Sequence, residues 1–374
     1  MSLTSATPLL IAVLVLALTF AAVVRWWPRL AGRGWRRVAG RVGLLCLIQV
    51  LLLATVGLVA NRTFLLYGSW AELAGHSKPA PPPGRAAADK PVRVLGRQAT
   101  GTPGGGPPQV AGVIEKVMVH GARSAVDVPA YVYLPPEYFQ KGNEDKKFPT
   151  TVVLTGFPGM AENLIKGLDY PKKAWSLVKE KKTRPMILVM LRPTTESARN
   201  TQCIDVPGGP RSETFFGTDL PKAVSATYRT TPQHAGGAAR GWAVMGDSTG
   251  GYCALKLALQ HPESYAAGVG LSADYKPEVD GYSGDLFHGN GAEERRSDLL
   301  WSLDHLPQGK TSFLVTTSTQ GEANLKPTQK FIEKVKGPAR VSSITLDHGG
   351  HNFATWRREI PPALEWISNR IGRD

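Results

Sequence analysis

The sequence contains no His-Glu-x-x-His run and no Cys-His cluster. Its eight histidines are scattered and its three cysteines lie far apart, so a metal hydrolase has no ligand set and no metal or other cofactor is expected. No internal repeat and no nucleic-acid-binding motif occur, although the net charge is +14. That charge is unevenly placed. Residues 1–76 hold seven arginines and one glutamate, and the remaining excess is spread over surface lysines such as Lys326, Lys330, Lys334 and Lys336. A solvated, membrane-facing basic surface fits this pattern, and a nucleic-acid partner does not.

Polar side chains are almost missing from two stretches. Pro8 to Val24 carries only Thr19, and Val42 to Ala60 only Gln49, Thr55 and the weakly polar Cys46. Each is about long enough to cross a hydrocarbon core. No charged residue precedes the first, which argues against a cleaved signal peptide, as does the second span that follows. Between them stand Arg25, Arg29, Arg33, Arg36, Arg37 and Arg41 with no acidic residue, whereas only Arg62 follows the second closely. An ordinary cytoplasmic flank explains Arg36-Arg37 better than a twin-arginine export signal does. The positive-inside rule therefore places the arginine loop in the cytoplasm and the rest of the chain outside a cell membrane crossed twice. Cys46 is expected to pack inside the second span.

The expected organisation is a membrane anchor over 1–75 with helices near 8–24 and 42–60, a flexible linker over 76–109 and a catalytic domain over 110–374. Proline, glycine and alanine dominate the linker, which has too little apolar surface to offset its ordering entropy. Beyond it strands and helices alternate. Strands are expected near 113–120, 127–134, 149–155, 186–191, 241–246, 266–272, 311–317 and 340–346. Helices are expected near 160–180, 218–230, 249–260, 325–336 and 354–371. The first two strands alternate as a hairpin does, and the later ones are short continuous apolar runs of the kind covered by helices on both faces. This predicts an α/β domain whose sheet is mostly parallel with an antiparallel start.

Trp242-Ala-Val-Met-Gly-Asp-Ser-Thr-Gly-Gly-Tyr252 places Gly246-x-Ser248-x-Gly250 between an apolar run and a helix-forming run. At such a turn a serine hydroxyl projects as a nucleophile, and the Thr249 amide at the helix start faces developing negative charge. An acid and a histidine follow in workable order: Glu322 after one strand, then His351 after the last. A trypsin-like reading of Gly-Asp-Ser-Thr-Gly-Gly fails because a threonine intervenes and the histidine comes after the serine. Other candidates remain beside these: His348 for the base and Asp274 for the acid. Asp347 is too close to His351 in sequence to orient it, and Asp247 is expected at a pocket rim or turn.

Tyr131-Val-Tyr-Leu-Pro-Pro-Glu-Tyr138, the elbow Met245-Gly-Asp-Ser-Thr-Gly-Gly251, and His351 with Trp356 five positions on resemble the putative-esterase family of α/β-hydrolases. That family includes esterase D-like enzymes and the secreted mycolyltransferases of the antigen 85 group, and the resemblance covers about 112–372. The two-helix anchor resembles that of actinobacterial membrane-anchored members. The resemblance implies Ser248 as nucleophile, Glu322 as acid and His351 as base, the last supported by the Asn-Phe-x-x-Trp pattern after it. It also implies that the Phe157 amide joins Thr249 in an oxyanion hole, with Thr155 standing where the family often has histidine.

Cys203, in the loop after the 186–191 strand, and Cys253, just over one turn into the nucleophile helix, are expected to form a disulfide outside the cell. The segment Tyr275 to Gln308 sits where α/β-hydrolases insert lid or pocket elements, and it is expected both to cover core and to line part of an acyl pocket. The function expected is a membrane-anchored serine esterase acting through an acyl-enzyme on a small-molecule or lipid ester. An acyltransferase of the mycolyltransferase type, passing the acyl group to a sugar or other alcohol, uses the same residues. A non-catalytic envelope scaffold would retain the fold without the chemistry.

Overall fold

The computed structural model describes residues 6–32, 34–64, 67, 70–73, 90–196, 199–232, 234–235 and 238–372. The chain divides into two compact units, Met1–His76 and Ser77–Asp374. The first is built on α1 (Ala6–Trp26) and α2 (Trp35–Phe64). Both are long and apolar enough to cross a membrane, with a mean hydropathy of 2.6 over their best windows. Their large side chains are exposed where a soluble protein would bury them, Leu53 by 72%. The second helix starts earlier than expected, because Arg36, Arg37 and Arg41 are good helix formers and simply extend it toward its N-terminus. Cys46 lies on an exposed face of α2, not in a packed one; a helix with a single partner leaves most of its circumference uncovered.

The second unit is a nine-stranded sheet. Its strands are β1 (Val92–Gln98), β2 (Val113–His120), β3 (Asp127–Leu134), β4 (Thr150–Leu154), β5 (Ile187–Leu191), β6 (Trp242–Asp247), β7 (Ala267–Leu271), β8 (Ser312–Ser318) and β9 (Arg340–Leu346). They lie in the order β1-β2-β3-β5-β4-β6-β7-β8-β9. The first three pair antiparallel, and β4 to β9 all run parallel. Each of the eight expected strands is present to within a residue at either end.

The ninth, β1, falls inside the segment expected to be a flexible linker. Only Val92 of its residues is buried, so it carries no apolar period, and it joins the sheet through backbone pairing with β2 at the edge. Arg97 adds a 2.8 Å contact to Glu115. Residues 92–98 of the expected linker therefore form a strand, and 76–89 lie outside the described residues.

Alternate residues of the central strands serve opposite faces. Val152 and Leu154 pack with Cys253 and Leu257 of α5 (Thr249–Gln260). Val153, Met245 and Leu314 pack with Tyr170 and with Trp356, Ile360 and Leu364 of the last helix, Phe353–Ser368. The helix expected over 160–180 is broken into α3 (Glu162–Lys166) and α4 (Tyr170–Lys179), since Asp169 adopts φ 56° and Pro171 occupies the first turn of α4. In the insertion, Asn290 and Asp298 cap two helices, Gly291–Ser297 and Leu299–His305, by accepting from Glu293 and from Leu300 and Trp301 amides.

Cys203 and Cys253 are joined as a disulfide with a Cα–Cα separation of 5.6 Å, closing a loop of 50 residues, and both are buried. Restricting the unfolded chain in this way contributes about 2 to 4 kcal/mol. Cys203→Ser is expected to lower Tm by roughly 5 to 15 °C. Non-reducing peptide mapping of the purified protein should recover the two peptides linked; free alkylatable thiols at both positions would contradict the bridge.

Candidate active site

Ser248 sits between β6 and α5 at φ 54°, ψ −126°, a backbone region that L-residues rarely adopt. The sharpness of the turn explains its glycines. A Cβ on Gly246 would lie 2.4 Å from the Gly250 backbone, and one on Gly250 would lie 2.4 Å from the Leu154 carbonyl oxygen of β4. Only glycine fits at either position, and the serine is thereby lifted above the carboxyl ends of the parallel strands, where open α/β sheets place their ligands.

A second close approach assembles the partners. Gly321, at φ 90°, would put a Cβ 2.3 Å from the Gly349 carbonyl oxygen. The loops after β8 and β9 thus touch, tied by Gly349 N–H donating to Gln320 O at 3.0 Å. This contact brings His351 and Glu322 together. His351 Nε2 lies 2.8 Å from Ser248 Oγ, and His351 Nδ1 lies 3.9 Å from Glu322 Oε2. The imidazole is half exposed and the carboxylate is buried, with 2% of its side chain accessible.

Two further side chains hold this arrangement. Ser272, just past β7, donates its hydroxyl to Glu322 Oε1 at 2.7 Å and accepts from Trp356 Nε1 at 2.9 Å. The Trp356 ring stands edge-on to the imidazole, centroids 5.2 Å apart. Ser272 was not singled out from the sequence. Its one signal there is position, a serine closing the strand next to the nucleophile strand.

The competing candidates are placed differently. His348 and Asp347 are exposed, and the His348 carbonyl accepts from Arg358 at 2.8 Å. Asp274 shares the cleft with His351 and Glu322; burial raises its pKa, the imidazole opposes the shift and Glu322 adds to it. It makes no ion pair with His351 within 4.0 Å, whereas Glu322 does.

Asp247 is not at a rim. It is 1% exposed, and its Oδ2 accepts the Gly156 amide at 2.9 Å, tying the loop after β4 to the elbow. Burial pushes its pKa up to about 7, and that of Glu359, on the last helix, to about 8. Alternation along β6 accounts for the difference: the residue before the serine points into the protein.

The loop after β4 passes beside Ser248, since a Cβ on Gly156 would lie 3.1 Å from its Cβ. Thr155 is buried, with its amide donating to Leu191 O at 3.2 Å. Phe157 follows Gly156 directly, and Thr249 opens α5. Among the described residues no protein group accepts a hydrogen bond from either amide. A cleft of about 920 Å³ opens on His351 and Glu322 and is walled by Asp274, Lys276, Glu278 and Val279. Tyr275, Leu299 and Leu303 of the same insertion are core residues, so the segment both covers core and walls the cleft. Among the described residues no three of His, Cys, Asp and Glu are grouped to share a metal ion.

The family described as Putative esterase matches residues 123–367. An uncharacterized protein of Corynebacterium glutamicum is 23% identical over 255 residues, which are 65% of this chain and 57% of that protein, so the chain spans little more than half the relative's length. Two solved structures share the fold. One is an S-formylglutathione hydrolase from Agrobacterium tumefaciens, 17% identical, with 75% of this chain and 100% of that one covered at a TM-score of 0.57. The other is fluorophosphonate-binding serine hydrolase F of Staphylococcus aureus, 18% identical, with 69% and 99% covered at 0.55. The family match runs from before the first parallel strand to the last helix and encloses both loops that meet at Gly321 and Gly349. The chain belongs to the putative-esterase family of α/β-hydrolases.

Proposed function

We propose that Ser248, His351 and Glu322 hydrolyse an ester through an acyl-enzyme, and that the catalytic domain works outside the cell on a membrane anchor. The observation that carries the chemistry is the 2.8 Å approach of His351 Nε2 to a serine hydroxyl held at the elbow. His351 takes the Ser248 proton as Oγ attacks the ester carbonyl carbon, and Glu322 stabilises and orients the imidazolium. The 3.9 Å separation shortens to a hydrogen bond as that charge forms, as catalytic contacts often do on substrate binding. The Phe157 and Thr249 amides receive the oxyanion. Collapse breaks the C–O bond, and the departing alcohol takes its proton from His351. Water, deprotonated by the same imidazole, then attacks the acyl-serine and releases the acid.

The about 920 Å³ cleft beside His351 also favours a second reading, transfer to an alcohol. An alcohol seated there would meet the same base as water does.

The arginine asymmetry around α1 and α2 supports an exterior catalytic domain. So does the buried disulfide, since such bonds persist in oxidising compartments. The domain reading that follows is an anchor over 1–75, a tether shortened to about 76–89 and a catalytic unit from β1 onward.

Ser248→Ala and His351→Ala are expected to fold and to lose about 10⁵ to 10⁶ in kcat on a simple ester. Glu322→Gln should lose about 10³ to 10⁴, because orientation is less essential than nucleophile or base. A fluorophosphonate probe should label the parent at Ser248 and leave Ser248→Ala unlabelled. Full activity in Ser248→Ala would sink the mechanism, and full activity in Glu322→Gln with loss in Asp274→Asn would move the acid to Asp274.

For topology, protease added to intact spheroplasts should cut between His76 and Lys90 and release a soluble, active domain. Protection until the membrane is permeabilised would put that domain in the cytoplasm.

A further inference from the structure

The cleft wall formed by Glu278, Val279 and Asp280 belongs to a stretch, 278–285, without helix or strand. It hangs from the loop 199–203. Gln202 Nε2 donates to Glu278 O at 2.7 Å and to Ser283 Oγ at 2.8 Å, while the Glu278 amide donates to Gln202 Oε1 at 2.8 Å. Both hydrogens and the oxygen of this amide are used. Gln202 is 1% exposed and Ser283 is fully buried. Beside it, the Asn200 amide donates to Tyr282 O at 3.1 Å and Arg199 Nε to Ser283 O at 2.9 Å.

The supporting loop is itself anchored to the nucleophile helix. Cys203 is bonded to Cys253 of α5, and Lys256 of the same helix donates to the Cys203 carbonyl at 3.2 Å. Gln202 and Cys203 take φ of 48° and 53°, a cost that non-glycine residues bear only where their surroundings hold them. At the far end of the wall the Tyr282 ring meets the Phe157 ring, centroids 5.9 Å apart, beside the nucleophile.

We propose that Gln202 is a positioning residue for substrate selection: it sets the wall 278–285 at the distance from His351 that the alcohol half of the ester requires. The proposal rests on the reading of Ser248 and His351 given above. Since His351 protonates the leaving oxygen, the alcohol departs on its side, which is where the cleft opens. Without the Gln202 amide, the Glu278 N–H and C=O lose their partners and the wall relaxes toward water to recover them. The disulfide refers the wall to α5, so nucleophile and wall keep one spacing.

Gln202→Glu keeps the size and the acceptor but donates nothing, and Gln202→Ala removes both. For esters of one short acid, KM with a bulky alcohol should rise about tenfold while KM with methanol as the alcohol stays within about twofold, and kcat is retained. Cys203→Ser should shift KM in the same direction. Combined with Gln202→Glu it should add nothing beyond the larger single effect, as for residues acting through one element. Fluorophosphonate labelling at Ser248 is followed in parallel. Absence of labelling in the parent protein would defeat the reading of the site itself. Normal labelling with unchanged KM, with equal KM changes for both alcohols, or with kcat falling on both, would overturn the role of Gln202. Should Gln202→Ala fail to fold, Gln202→Glu carries the same comparison.

Discussion

Backbone contact that only glycine permits is the constraint on which this site rests. At the elbow, Gly246 and Gly250 let β6, α5 and the end of β4 converge to distances that exclude a Cβ. At the loops after β8 and β9, Gly321 does the same against the Gly349 carbonyl. The first contact raises Ser248, and the second brings His351 and Glu322 to it. Alanine at Gly250 or Gly321 would force the chain apart by an ångström or more, at a cost set by backbone and not by a side chain that could rotate away. Such contacts also hold the 2.8 Å approach of His351 to Ser248 with little freedom to drift.

The charges beneath the site are distributed as unequally as the glycines. Glu322 receives the Ser272 hydroxyl and faces the imidazole, while Asp247 receives one backbone amide and leaves Oδ1 without a partner among the described residues. Burial raises Asp247 and Glu359 far above ordinary carboxylic acids. Held nearer the neutral form, Glu359 repels the nearby Glu322 carboxylate less. Behind α5 the opposite arrangement occurs. Burial alone would raise the Glu213 pKa, but the fully buried Lys256, with His261 and Arg296, holds it well below the usual carboxylate range. That pair is costly to desolvate, and its energetic weight lies in how badly either partner would fare alone.

The parts of the molecule that were legible in the sequence are those in which local chemistry and global fold agree. Continuous apolar runs such as Ile187 to Leu191 can only be strands buried on both faces, and the elbow announces itself through glycines two residues either side of Ser248. Where tertiary contact decides alone, the sequence is mute. β1 has one buried residue and is held by backbone pairing at a sheet edge, so a proline- and glycine-rich neighbourhood conceals it. Ser272 owes its place to a turn at φ 46° and to two partners 50 and 84 residues away. Asp247 looks like a turn residue because it adjoins one, yet strand alternation directs it inward.

Reactive groups and recognition surface are thus built on different footings. Ser248, Ser272 and Glu322 stand at or just beyond strand ends, where the sheet determines their spacing and few alternatives exist. The wall over the cleft is irregular chain tied by Gln202, Asn200 and Arg199 to a loop that a disulfide joins to α5. A fold with this division can change the wall without touching the glycine contacts, because neither Gln202 nor Cys203 takes part in them. Rigid chemistry on the sheet and adjustable selection in a suspended loop follow from where the backbone hydrogen bonds go. In β6 to β9 they go to neighbouring strands, and in 278–285 several go to the loop that carries Gln202.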